Sequence, residues 1–184
     1  MATTDTNQEI FQWYVMRDLK RPNAKLPAYK MLKEMGLEVF TPMVRKTITR
    51  KGEKIYSEKP FIPDLLFIRN SRKNLDPIVN NTTTLQYRFL SDGKRTPMTV
   101  NSKEMELFIK AAKEVNNLRY YAPTEIKANM IGKLVRIVGG VLDGYVGNLQ
   151  KLQGSKNKRL FIELPNVLTA SVEVESEYIQ LLEK

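Results

Sequence analysis

Along this chain the spacing of apolar residues changes character several times, and each change marks a predicted element. From Ile10 to Met16 every position except Gln12 is apolar, the pattern of a strand buried on both faces. Pro27 can open a helix, because its missing N–H costs nothing in a first turn, and Ala28, Met31, Leu32 and Met35 then form one stripe ending at Gly36. Leu37–Phe40 and Met43–Ile48 read as extended, and Arg50-Lys51-Gly52-Glu53 as the tip of a hairpin. Phe61–Arg69 is a further strand, with Leu65 and Phe67 on one face and Leu66 and Ile68 on the other. Asp76 and Pro77 suit the start of a short helix over 76–80. Leu85, Tyr87 and Phe89 alternate with polar neighbours as in a half-buried strand. Asn101 and Glu104 cap a helix whose stripe is Met105, Phe108, Ala112 and Val115.

Residues 116–130 lose all periodicity and read as a linker. Beyond it come short strands at 133–138, 146–152, 159–164 and 170–174, with a hairpin at 154–158, which suit a five-stranded barrel. The expected fold class is therefore α+β: a mainly antiparallel sheet with helices on one face, followed by a small β-barrel. The expected organisation is a disordered start (1–9), a first domain (10–115), the linker and a barrel domain (131–184). Helices on one face leave the other face of the sheet to a partner.

Composition narrows the function. Thirty Lys and Arg against twenty Asp and Glu give a net charge of +10, which favours polyanionic partners. The excess is local: residues 1–115 hold 21 cations and 13 anions, whereas residues 131–184 hold 7 and 6. The chain has no histidine and no cysteine, which removes the commonest general base, the commonest metal ligands and any disulfide framework. No carboxylate pair or phosphate-cradling Gly-Lys-Ser/Thr turn replaces them. The sequence thus points away from an enzyme and implies no cofactor. With no signal-peptide pattern and no apolar run of spanning length, it reads as a cytoplasmic protein without a membrane partner.

Five motifs add a family. Residues 132–149 order a strand, a Gly139-Gly140 turn, the pair Leu142 and Tyr145, and Gly147 opening a second strand; this resembles the KOW motif. Trp13-Tyr14-Val15, Val39-Phe40-Thr41-Pro42, the strand from Phe61 to Ile68 and the Pro97–Val100 lead-in stand ahead of it, in the order of NusG-family transcription factors. Over residues 10–184 the chain resembles that family, with an NGN domain followed by a KOW domain. Asp64, Leu65 and Val141 depart from its usual residues; such departures are similar to those of specialised paralogues, the RfaH-like factors and the UpxY regulators of capsular polysaccharide operons.

The resemblance implies a monomeric elongation or antitermination factor that docks on the clamp helices of RNA polymerase through Ile62, Leu65, Phe67 and Phe89. It also implies that Arg17, Lys20, Arg21, Lys25, Arg45, Lys46, Arg50 and Lys51, with Lys54 nearby, lie beside the non-template DNA strand. The KOW domain would recruit a ribosomal protein or a termination factor, with Leu142 and Tyr145 divided between core and partner contact. Two alternatives stay open: a general NusG-type factor, and a ribosome-associated RNA-binding KOW protein. The latter leaves the Trp13 and Phe61 strands without a role.

Overall fold

The structure is a computed structural model that describes residues 9–20, 24–115, 118–125, 132–140, 142–151, 158–174 and 179–182, without the side chains of residues 50 and 151. The chain divides into two compact units, Met1–Ser102 and Lys103–Lys184. The first runs β1 (Gln12–Asp18), α1 (Ala28–Glu34), β2 (Glu38–Phe40), β3 (Met43–Arg50), β4 (Glu53–Pro60), β5 (Leu65–Asn70), α2 (Arg72–Asn81), β6 (Leu85–Tyr87) and β7 (Thr99–Val100). Its main sheet has the order β2-β5-β1-β6, with β7 pairing the start of β1. Every pairing is antiparallel. β1 therefore lies at the centre, as its continuous apolar run requires.

The pleat of β1 and β5 separates two apolar rows. Tyr14 and Met16 face the same side as their partners Ile68 and Leu66, and these pack with Ala28, Leu32, Leu75, Leu85 and Tyr87 in one cluster under α1 and α2. Each Leu, Ile and Met among them, fully removed from water, contributes ~1.5–3 kcal/mol. The opposite row, Trp13, Val15, Leu65 and Phe67, is buried as well.

Three boundaries differ from the sequence pattern. β1 begins at Gln12, leaving Ile10 and Phe11 exposed. β5 begins at Leu65 rather than Phe61, because the chain bends first: the N–H of Phe61 donates to Pro42 O and that of Leu65 to Ile62 O. α2 starts four residues before Asp76, with Ser71 at its N-cap accepting the N–H of Asn74 (3.3 Å). Pro77 consequently lies inside the helix instead of in its first turn, at the cost of one intrahelical hydrogen bond. Helix α1 has no cap from Pro27; the buried carboxylate of Asp18 accepts the N–H of Ala28 at 2.6 Å and anchors it across ten residues.

β3 and β4 form a separate two-stranded ribbon. Lys51 (φ 52°) and Gly52 (φ 83°) at its tip both sit in the left-handed region, the signature of a tight primed turn.

The second unit contains α3 (Ser102–Glu114, its first residue at the division), β8 (Arg119–Tyr121), a 3-10 turn at Pro123–Glu125, β9 (Lys133–Ile137), β10 (Val146–Lys151), β11 (Lys158–Leu164), β12 (Leu168–Val174) and β13 (Ile179–Leu181). Its strands form an antiparallel sheet in the order β13-β9-β10-β11-β12-β8. Together the units give an α+β chain, a helix-covered antiparallel sheet followed by a second antiparallel sheet. Two details depart from the pattern. Residues 119–121, in the stretch that reads as linker, pair with β12 as a sixth strand. Helix α3 buries Met105, Phe108 and Ala111 rather than Ala112, and groups with the barrel. The expected 154–158 hairpin lies, apart from Lys158, outside the described residues. Gly147 is required by proximity: an added Cβ would stand 2.1 Å from the carbonyl oxygen of Phe161 on β11.

Candidate nucleic-acid and protein interface

Among the residues expected at a polymerase contact, Leu65 and Phe67 share the row opposite the helices and are fully buried, with the Phe67 ring beside Phe40 (6.2 Å between centroids). Ile62 occupies the bend ahead of β5 and is half-buried. Phe89 does not join them. Its ring lies 6.3 Å from that of Tyr87, a member of the helix-side cluster, and lines a hollow shared with Arg72, Asp76, Val79 and Asn80 of α2. Alternation along 85–89 places Phe89 with Tyr87, just beyond the end of β6 at the edge of the sheet, where Phe89 bridges Pro97.

The cations divide into two groups. On the ribbon, Lys46, Lys51 and Lys54 are exposed, and Arg45 pairs with Glu58 at 3.0 Å with both side chains largely in solvent. Such a pair is worth little and yields readily to a phosphate. After β1, Lys25 is exposed and the Lys20 ammonium donates to Leu26 O (3.0 Å). Arg21 lies outside the described residues, as does the side chain of Arg50. Arg17 is held differently: its Nε donates to Asp64 Oδ2 at 3.1 Å, and Arg88 reaches the same oxygen at 3.4 Å. Asp64 thus ties together two arginines, one on β1 and one just after β6.

The edge beside α2 carries a third polar group. Asp76 accepts from the Tyr87 hydroxyl (2.7 Å) and from Arg72 Nε (2.8 Å), and the Arg72 guanidinium lies 4.9 Å above the Tyr87 ring. Burial alone would raise the Asp76 carboxyl, but the hydrogen bonds from Arg72 and Tyr87 outweigh it and hold the group below its ordinary range. Burial and the bond to Asp76 push the Tyr87 hydroxyl well up.

In the barrel both Leu142 and Tyr145 are buried. The Tyr145 hydroxyl donates to Leu107 O within the same unit, and burial pushes it up to about 12. Among the described residues the apolar side chains facing outward are instead Leu134 on β9, Val138 just after it, Val146 on β10 and Leu181 on β13, each about half exposed. Periodicity alone could have found them, since Leu134 and Val138 alternate with the buried Val135 and Ile137. Among the described residues no cluster of side chains could hold a metal ion, and no helix is long and apolar enough to cross a membrane.

Comparison with known proteins fits this architecture. A family model described as "Transcription termination factor nusG" matches residues 11–109, more than half of the chain. No curated protein matches. Among solved structures, one described as "Domain interaction in Thermotoga maritima NusG" aligns over 95% of this chain and 98% of that one, at 13% identity and a TM-score of 0.43. The chain belongs to the NusG family of transcription factors, a family of non-enzymatic proteins.

Proposed function

We propose that this protein is an elongation and antitermination factor that binds the clamp helices of RNA polymerase through its N-terminal unit and suppresses pausing or termination on particular long operons, capsular polysaccharide loci among them. The observation that carries the reading is β5 with its apolar residues on both faces, in a NusG-family domain, flanked by a ribbon of exposed lysines. One apolar row packs on the helices; the other, Leu65 and Phe67, is suited to a partner once it is uncovered, with Ile62 already accessible at its margin. Arg45, Lys46, Arg50, Lys51 and Lys54 would then follow the non-template strand, each phosphate neutralised adding ~0.7 to the salt slope of binding. Among the described residues of the barrel, Leu134, Val138, Val146 and Leu181 are apolar and accessible to a second protein.

The test is binding to RNA polymerase of the host. Aspartate at Leu65 or Phe67 would disrupt a buried sheet, so the variant of choice is Ile62→Asp, confirmed as folded by circular dichroism. A charge placed at the margin of an apolar contact should cost ~1 kcal/mol or more of binding energy. Undiminished binding by Ile62→Asp would move the contact away from this end of β5. No binding by the parent would favour the ribosome-associated reading.

A further inference from the structure

The main sheet of the first unit ends at β6, and that edge is open. Arg88 N–H donates to Val15 O (2.9 Å) and Leu19 N–H to Thr84 O (2.8 Å), with Gln86 opposite Arg17 between them. Residues 84, 86 and 88 therefore turn their backbone groups toward β1, and alternation turns those of Leu85, Tyr87 and Phe89 the other way. Leu85 N–H is taken by Thr82 O at 2.9 Å. Among the described residues, the N–H and C=O of Tyr87 and Phe89 and the C=O of Leu85 meet no backbone partner. The hairpin after Phe89 does not cover them. It closes on the β1 side, through Met98 N–H to Arg88 O (2.7 Å) and Leu90 N–H to Thr96 O (2.9 Å).

A hollow flanks this edge on each face. On the helix face one of about 530 Å³ is lined by Arg72, Asp76 and Asn80 of α2 with Tyr87, Phe89 and Arg95. On the other face one of about 610 Å³ lies over Gln86, Arg88 and Met98. Both rings of the helix face carry a cation: Arg72 lies 4.9 Å from the Tyr87 centroid and Arg95 lies 5.6 Å from that of Phe89. Residues two apart on a strand are separated by ~7 Å, so the two guanidinia stand at the spacing of alternate side chains on a neighbouring strand. Arg72 holds Asp76 through its Nε, which leaves its outer nitrogens for a second carboxylate. Arg95 pairs with no carboxylate among the described residues. Its φ of 55° is a left-handed conformation that residues other than glycine rarely adopt, so the loop is strained where it sets this cation on the ring.

We infer that the β6 edge is a strand-addition site for a protein partner: an extended acidic segment that pairs with Leu85–Phe89 and sets carboxylates at alternate positions on Arg72 and Arg95. In such a contact the ladder supplies affinity and the hollows on the two faces select alternate side chains. The open edge presents carbonyls as well as N–H groups, and a peptide satisfies both. A phosphate chain has no donor for the carbonyls and is repelled by them. A second copy of this chain would bring the same arginines together, and charge on an edge is a common guard against that pairing. The edge is separate from the clamp contact proposed at Ile62, Leu65 and Phe67, so the two are tested apart.

The experiment is amide exchange, read residue by residue by nuclear magnetic resonance on the full chain, with a peptide of about eight alternating glutamates and threonines as the probe. At saturating peptide the amides of Tyr87 and Phe89 should exchange about tenfold more slowly, whereas those of Gln86 and Arg88, already turned to β1, should change little. Arg95→Glu should weaken binding about tenfold without moving the thermal melt, since its side chain is exposed. The same peptide methylated on every backbone nitrogen keeps its charge but loses its ladder, and it should not bind. Four results would overturn the inference. They are no protection at millimolar peptide, equal binding of the methylated peptide or of one with lysine in place of glutamate, the same protection by an oligothymidylate, and protection that grows with protein concentration in the absence of peptide. The third would give the edge to nucleic acid and the last to a second copy. None of them involves polymerase.

Discussion

The two longest ladders of the first unit follow opposite rules. β3 and β4 pair over eight residues, from Met43↔Pro60 to Arg50↔Glu53, yet every described β4 side chain is exposed or half-exposed. β1 and β5 pair over six, and five of the seven side chains of β1 are buried. The ribbon has the longer single ladder; apolar burial is concentrated in the sheet. A ladder exchanges water's hydrogen bonds for the chain's own at small net gain, whereas burying apolar side chains stabilises considerably more. The ribbon is thus free to carry charge, and the sheet is not.

Substitutions test that contrast, beginning with the sheet. Ile68→Ala should lower the unfolding free energy by about 2–5 kcal/mol, read from the denaturant midpoint by tryptophan fluorescence, because Ile68 is fully buried in the cluster under the helices. A loss below ~1 kcal/mol would mean that burial is not what holds the centre.

A smaller effect belongs to the edge, at Asp76. Its folded pKa is depressed from the ordinary value of 3.8, so its contribution is complete at neutral pH and is lost as pH falls through the folded value. Asp76→Asn should therefore be less stable than the parent at neutral pH, with the two approaching one another below pH 3.8, as thermal melts across an acid series would show. A gap independent of pH would assign the loss to packing alone.

The smallest change is expected on the ribbon. Ile55→Thr, at a cross-strand pair with Ile48 in which both residues are 40% exposed, should alter stability by about 0.5 kcal/mol or less in equilibrium unfolding. The ribbon's amides should nevertheless exchange with solvent faster than those of β1, despite the longer ladder. Slower exchange in the ribbon would reverse the comparison.

Much of this is legible in the sequence because the strongest signals are local. The run 10–16 marks the central strand, and the parity of Leu65–Ile68 separates the two faces of β5. The stripe of Ala28 and Leu32 marks α1, and the KOW turn marks the barrel. What escapes are contacts between residues far apart in the chain. Asp18 looks like one more surface acid, yet it caps a helix ten residues on. Asp64 looks like a departure from a family pattern, yet it ties Arg17 to Arg88. Hydrophobicity alone groups Phe89 with Leu65, whereas the alternation along 85–89 sets it beside Tyr87 on the helix side. The motif leaves Leu142 and Tyr145 divided between core and contact, and only packing shows that both are buried. Residues 119–121 have no periodicity because three residues are too few to show one.

That last strand bears on how the barrel behaves in company. Through Arg119, Tyr120 and Tyr121, β8 occupies the N–H and C=O groups of β12 over residues 169–171, with Tyr121 against Phe161 and Tyr120 stacked on Phe108. A fragment beginning at residue 131 would present that row bare, an invitation to a second copy of itself. One beginning at residue 103 would carry its own cover. Whether the barrel is a good neighbour or a sticky one in a crowded solution is thus decided by three residues that look, in the sequence, like part of a tether.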